Sequence, residues 1–308
     1  MKVLLIYYTG TYNTRFLTNK VKERFVAQGD EVDTVEINAD TPICDTQGYE
    51  FVGFSYPIYG FNSPVSFNKY VRKLKFSKGQ KYFIYKNSGE TLKLNNASSR
   101  VLKRIMRRQR AKLVGEYHYV MPYNIHFPYD RAFIREIFVK NAKLLDIMMN
   151  DLVTGYVRKI KSNLIYNTGS FFVGIQKIGG DINSYFYKVL PDKCIHCNKC
   201  VSACPRHNVY VKDGKIKFHH HCDMCMRCSF FCPTDAIRIG FLDSWGWRVN
   251  GDYGLEKIEA DTSPIEPYIT PESKGFYKCF IKSFAMIDAE HERLFGKGSE
   301  TQEPSDPS

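Results

Sequence analysis

No run of apolar residues in this 308-residue chain approaches the about 20 needed to cross a bilayer. The apolar run in "MKVLLIYYTG" is too short for a signal peptide, and no small-residue cleavage site follows it. A soluble, intracellular protein of the cytoplasm is therefore expected. Cysteine is nearly absent outside one region. Of ten cysteines only Cys44 and Cys279 stand alone, and the other eight lie between Cys194 and Cys232. Without a secretion signal, such clustering reads as a metal site and not as a disulfide framework. No Walker or Rossmann fingerprint follows the first apolar run. No nucleophile–base arrangement stands out either, so hydrolysis is not suggested and no catalytic residue is assigned. Acid is missing between Lys93 and Lys112, where eight Lys or Arg occur.

What is present is ordinary globular material, 44% hydrophobic and 25% charged, at a length that suggests two domains. Apolar, β-rich runs alternate with helical patterns through the first half. Strands are expected at 2–8, 31–37, 49–57, 80–87 and 115–125. Helices are expected at 13–29, 63–76 and 97–113, and one long helix or two over 130–160. That alternation predicts an α/β fold with a parallel, doubly wound sheet. Domain boundaries follow from where the periodicity changes. Residues 1–165 form the first domain, 166–190 a linker, 191–240 the cysteine domain, 241–295 a C-terminal extension with a short helix, and 296–308 a disordered tail.

"CIHCNKCVSACP" and "CDMCMRCSFFCP" are one motif written twice, C-x2-C-x2-C-x3-C-P, with each cysteine of the second copy 28 positions after its counterpart. Three thiolates at this spacing wrap one corner of a cuboidal [4Fe–4S] cluster, and the fourth ligates the other cluster. The expected sets are Cys194, Cys197, Cys200 and Cys232 for one cluster, and Cys222, Cys225, Cys228 and Cys204 for the other. Structural zinc is the competing reading, but it uses four ligands, usually two CxxC pairs, and leaves no role for the third cysteine or for the prolines. The block resembles a bacterial two-cluster ferredoxin. His219, His220 and His221 precede Cys222 and suit either a metal-binding run or a solvated turn.

"YYTGTYNT", residues 7–14, packs hydroxyls, an amide and a glycine into the loop between the first strand and the first helix. A helix N-terminus offers free N–H groups and a favourable dipole to an anion. T-G-T-x-N-T at this place resembles the phosphate loop of flavodoxins. The resemblance implies that Thr9, Thr11, Asn13 and Thr14 bind an FMN phosphate, with Gly10 allowing close approach. Tyr12 stands where that family has glycine, so its side chain is expected to point away and its backbone to avoid a glycine-only conformation. A polar N-cap cluster without ligand is the alternative. Ligands of doubly wound sheets sit beyond the C-terminal strand ends. There Tyr56, Tyr59 and Phe61 are available to stack on an isoalloxazine ring, and Gly60 permits approach. Asn87, Ser88 and Gly89 offer bonds to the ring edge. Tyrosines in such loops are equally at home in packing.

In this order the two halves resemble the EFR-type ferredoxins, in which a flavodoxin-like domain with a five-stranded sheet precedes a small α+β two-cluster ferredoxin. The resemblance covers residues 1 to about 240. It implies FMN, two [4Fe–4S] clusters and electron transfer with a redox protein. The formal charge of +12, reduced by the cofactors, favours an acidic partner. Arg100, Lys103, Arg104, Arg107 and Arg108 form a stripe that is either a docking surface or a solvated face, with no nucleic-acid-reading motif beside it. The rival reading is an FMN-dependent reductase acting on its own small substrate, with the clusters as relay.

Overall fold

The apolar run at the N-terminus is the second strand in space of a parallel sheet and is buried on both faces. In the computed structural model, which describes residues 1–163, 166, 168–169 and 176–296, β1 (Lys2–Tyr7) pairs with β2 (Glu31–Glu36) on one side and β3 (Phe51–Ser55) on the other. β4 (Lys81–Ser88) and β5 (Lys112–Val120) complete the order β2-β1-β3-β4-β5, all parallel. That order is the flavodoxin-like one among doubly wound sheets.

Alternation along β1 divides the core. Leu4 and Ile6 face Phe67 and Val71 of α2 (Val65–Val71) and Leu102 and Met106 of α3 (Arg100–Arg108). Val3 and Leu5 face Leu17, Val21 and Phe25 of α1 (Asn13–Ala27) and Met148 of α4 (Arg131–Thr154). α4 is one helix, started by the Asp130 carboxylate accepting from the Ala132 N–H and ended by Gly155 at φ 75°. α3 is shorter than its sequence pattern. Arg110 turns left-handed at φ 59°, and Lys112 and Leu113, expected in the helix, already belong to β5.

The second half departs further from the expectation. Residues 176–189, read as linker, form α5 (Gln176–Ser184) and β6 (Tyr187–Val189). β6 pairs antiparallel with β9 (Ile237–Ile239), so the cysteine domain begins before residue 191. Three paired residues on a short strand are too few for periodicity to reveal. Between them lie α6 (Lys199–Ser202), the hairpin of β7 (Val209–Lys212) and β8 (Lys215–Phe218), and α7 (Arg227–Phe230). The remainder of the expected linker, apart from residues 166 and 168–169, and the expected disordered tail beyond residue 296 lie outside the described residues.

The segment after β9 packs back onto the first half. It carries α8 (Phe241–Ser244), α9 (Leu255–Glu259) and the 18-residue α10 (Lys278–Phe295), where a helix was expected in this extension. Phe280 and Phe284 of α10 and Ile258 of α9 join Phe133 and Ile137 of α4 in one cluster. Asp288 on α10 is paired with Lys140 and Lys143, and Glu290 with Arg158.

Candidate functional site

A cavity of about 400 Å³ opens beyond the C-terminal ends of β1, β3, β4 and β5. Thr9, Gly10, Thr11, Asn13 and Thr14 line it from the first loop. Tyr59, Gly60 and Phe61 line it from the loop after β3, and Asn87, Ser88 and Gly89 from the end of β4. Tyr56 does not. Its ring is fully buried on the α2 side, 4.8 Å from Phe67, so the expectation that it stacks on a ligand is corrected. Strand alternation carries residue 56 to the core face, whereas Tyr59 lies beyond the strand end and is free to turn into the cavity.

The polar groups of the first loop are mostly engaged with the protein. The Thr14 hydroxyl donates to Asn87 Oδ1 at 2.8 Å, and Asn13 Nδ2 donates to the Pro122 carbonyl at 2.7 Å. Thr11 Oγ1 accepts from Asn124 Nδ2 at 3.1 Å. Thr9 Oγ1 is buried and has no partner among the described residues, and it lines the cavity. α1 starts without a side-chain cap, which leaves the N–H groups of its first turn to an anion. An unpartnered buried hydroxyl beside open amides is chemically suited to a phosphate. Gly10 is needed for contact between the two halves. A Cβ there would collide with the Tyr59 hydroxyl and lie 2.8 Å from the Cys225 carbonyl oxygen.

The Tyr12 backbone takes the left-handed conformation at φ 69°, which is uncommon for a residue with a Cβ but is not confined to glycine. The cost is about 1–2 kcal/mol. Offsetting contacts come from its ring, which lies 4.2 Å from the Arg15 guanidinium, 4.8 Å from that of Arg227 and 5.0 Å from the Phe231 ring. The side chain points away from the cavity, toward the cysteine domain.

The eight cysteines fall into two groups. Cys204, Cys222, Cys225 and Cys228 surround one small cavity, and Cys194, Cys197, Cys200 and Cys232 surround another. The exchange of the fourth cysteine between motifs follows from the repeated winding. His196 and Met224, Asn198 and Met226, and His207 and Asp235 all take positive φ between 51° and 62°, at equivalent places in the two copies. The N–H groups of Asn208 and Ala236, again equivalent, donate to Cys204 and Cys232 sulfurs at 3.2 Å. Among the described residues no three His, Cys, Asp or Glu converge as a single metal ion requires. Four corners of a cube hold their thiolates apart; a tetrahedral zinc draws them to a point. Burial pushes the Cys222 thiol up to about 12 and the Cys225 thiol up to about 11, so a metal held there would have to displace both protons.

The two cysteine groups differ in position. Cys222 and Met224 also line the large cavity, so the Cys204/222/225/228 group is proximal to it. The other group is distal, and its Cys197 is exposed. Arg227, between the ligands of the second motif, joins the halves. It is buried, donates to the carbonyls of Gly10 at 2.5 Å and Thr9 at 2.6 Å, and reaches the Ala203 carbonyl at 3.1 Å. The sequence offered one unused signal for it, a cation inside a metal-binding motif. Tyr8, Tyr123, Asn124 and Tyr187 had none.

The other candidates resolve into packing. His219 stacks on Tyr210 at 4.1 Å, His220 on Tyr185 at 3.3 Å, and His221 faces the Arg206 carbonyl. Lys103 is withdrawn from the basic stripe. It pairs with the buried Glu116, which also binds the buried Lys86 at 2.8 Å. Arg104, Arg107 and Arg108 are exposed. Among the described residues no helix is long and apolar enough to cross a membrane.

Residues 187–209 match a family model described as a 4Fe-4S binding domain. A ferredoxin of Methanothermococcus thermolithotrophicus is 38% identical over 52 residues, 16% of this chain and 87% of that protein. An uncharacterized ferredoxin of Methanocaldococcus jannaschii is 36% identical over 53 residues, 16% of this chain and 69% of that protein. Among solved structures, a short-chain flavodoxin associated with a bacterial microcompartment is 15% identical, covering 50% of this chain and 97% of its own at a TM-score of 0.38. The general stress protein 14 of Treponema denticola, solved with FMN, is 14% identical over 49% and 99% at a TM-score of 0.38. At such scores the fold assignment rests on the strand order itself.

Proposed function

The cysteine block belongs to the ferredoxins and follows a domain with the flavodoxin-like strand order; from that premise we propose that this protein carries electrons between an FMN and two [4Fe–4S] clusters and delivers them to a redox partner. FMN exchanges electrons in pairs or singly and each cluster takes one, so together they link two-electron to one-electron chemistry. The observation that carries the reading is the shared wall. Cys222, Asp223 and Met226 line both the strand-end cavity and the proximal cysteine site. The chain's own residues hold this arrangement. Thr9 and the first turn of α1 receive the phosphate, Tyr59 and Phe61 flank the ring, and Arg227 fixes the loop against the second cysteine motif.

Electrons leave by the distal site, where Cys197 is exposed and Lys193, Ile195, His196 and Lys199 are exposed around it. Lys199, and Lys193 with Asp235 at 3.9 Å, offer cations there to an acidic partner. Anaerobic purification with iron, sulfide and flavin analysis tests the reading. It is expected to give about eight iron, about eight sulfide and one FMN per chain. Stoichiometric zinc without broad visible absorbance, or absence of flavin, refutes it.

A reductase with its own substrate is the second reading. It is favoured by polar groups that converge on the same cavity, where Glu90 binds Tyr123 and Asn95 and where His126 faces Trp247. A small molecule that reoxidises the reduced protein at a saturating rate, unaffected by loss of Cys197, selects it.

A further inference from the structure

Three tyrosine hydroxyls are buried around the proximal cysteine site without a hydrogen-bond partner among the described residues: Tyr8, Tyr59 and Tyr187. Such groups are costly to leave unpaired, and their coincidence at one place calls for an acceptor. Tyr8 follows β1, is wholly buried, and with Tyr187 of β6 walls the cavity shared by Cys204, Cys222, Cys225 and Cys228. The Tyr187 hydroxyl sits beside the Cys222 thiol without closing a bond. Tyr59 reaches in from the β3–α2 loop. Its hydroxyl abuts Gly10, as do the carbonyl oxygen and Cβ of Cys225. Besides the Cys225 carbonyl, which accepts from Asn124 Nδ2 at 3.3 Å, the acceptors in this space are sulfurs. Asp223 is near, yet it accepts from neither Tyr8 nor Tyr59, and its Oδ2 is itself unpartnered.

We propose that Tyr8, Tyr59 and Tyr187 donate O–H···S hydrogen bonds to the cluster held by Cys204, Cys222, Cys225 and Cys228, so that two residues of the flavodoxin-like domain set the reduction potential of a ferredoxin cluster. The inference rests on the iron–sulfur reading above. Donors to sulfur stabilise the added electron and raise the potential. The three phenols act as neutral donors and lose no proton in the step. The electron comes from an added reductant, and the cluster gains one electron as the reductant loses one. Tyr59 also lines the flavin cavity, which makes it the side chain shared by both cofactor sites.

The test uses the full chain with FMN and clusters in place. Tyr8→Phe, Tyr59→Phe and Tyr187→Phe are each titrated with dithionite and mediators, following the reduced clusters by electron paramagnetic resonance. Each variant is expected to lower the midpoint of one cluster by about tenfold in its reduction equilibrium, ~59 mV for one electron, while the other midpoint holds. The moved signal is expected to survive in a Cys197→Ala background, which removes the distal cluster. In the parent protein, Fe–S stretching bands of that cluster are expected to shift in deuterium oxide, and to stop shifting progressively as tyrosines are replaced. Unchanged midpoints in all three variants overturn the proposal, as does equal movement of both clusters. If a variant loses its cluster, the isotope shift in the parent decides, and its absence is refuting. A parent that contains no iron defeats the earlier reading instead.

Discussion

Replacing Arg227 by alanine removes the side chain that ties the first loop to the second cysteine motif. Its guanidinium, 7% exposed by side chain, serves three backbone carbonyls, lies 3.8 Å from Glu36 and packs on Tyr12. A hydrogen bond to a charged group is worth roughly 1.5–3 kcal/mol. Three such bonds set a ceiling that will not be reached, because one carbonyl can take water in the space vacated. The two loop carbonyls, on Thr9 and Gly10, belong to buried residues and are expected to stay dry. Leaving them unpaired costs about 1–3 kcal/mol each, so a total of about 2–6 kcal/mol is expected. If half is spent holding the conformer that accepts the phosphate, FMN binding weakens by about fivefold to 150-fold. Flavin fluorescence quenching gives the Kd, thermal unfolding gives Tm, and iron content separates loss of the cluster from loss of the loop. Arg227→Lys keeps the charge but not the planar fork, and is expected to recover less than half of the lost affinity. An alanine variant with full iron content, parental Tm and an FMN Kd within twofold of the parent would refute the coupling of loop to motif.

Thr9→Val removes the unpartnered hydroxyl while keeping its shape, so FMN binding is expected to weaken about tenfold or more; riboflavin, lacking the phosphate, should be indifferent, and equal losses for both flavins would sink the assignment. Tyr12→Gly relieves the left-handed backbone but loses two cation–π contacts and an aromatic pair, a net loss of about 1–2 kcal/mol; a raised Tm would show that the ring contributes nothing. Glu116→Ala strands the buried Lys86 ammonium and is expected to cost about 3–5 kcal/mol at pH 7. Burial already lowers the Lys86 pKa, and without Glu116 it falls further, so the unfolded chain binds more protons than the folded one and stability rises with pH. The gap in denaturant midpoint between variant and parent should therefore narrow from pH 7 to 10, and a widening gap would contradict the sign. Reversing Lys193 and Lys199 to Glu is expected to slow electron delivery to an acidic partner and flatten its salt dependence, whereas reversing Arg104, Arg107 and Arg108 should leave both unchanged. The opposite pattern in stopped-flow rates would move docking to α3.

Much of this protein is determined locally and is therefore legible in the chain. The alternation of strands and helices specifies a parallel sheet, because strands buried on both faces must be apolar throughout and their crossovers must be helical. The repeated cysteine spacing predicts the two groups of four that surround the two small cavities, because a motif written twice winds the chain twice in the same way. The loop after β1 advertises its amides and hydroxyls through residue type alone. Other features depend on what lies across from them. Tyr56 and Tyr59 are three residues apart and chemically identical, yet one is core and the other faces the cavity, since only strand register separates them. Tyr12 accepts a left-handed backbone because Arg15, Arg227 and Phe231 happen to meet its ring. Lys103 looked like one cation of a stripe until β5 placed Glu116 beneath it. The three-residue strand β6 exists only because β9 is there to pair with it. Which cysteine group stands next to the strand-end cavity was likewise decided by docking alone: the two motifs are near copies, and the contacts of Arg227, Gly10 and Cys225 across the interface turn one of them toward the strand ends.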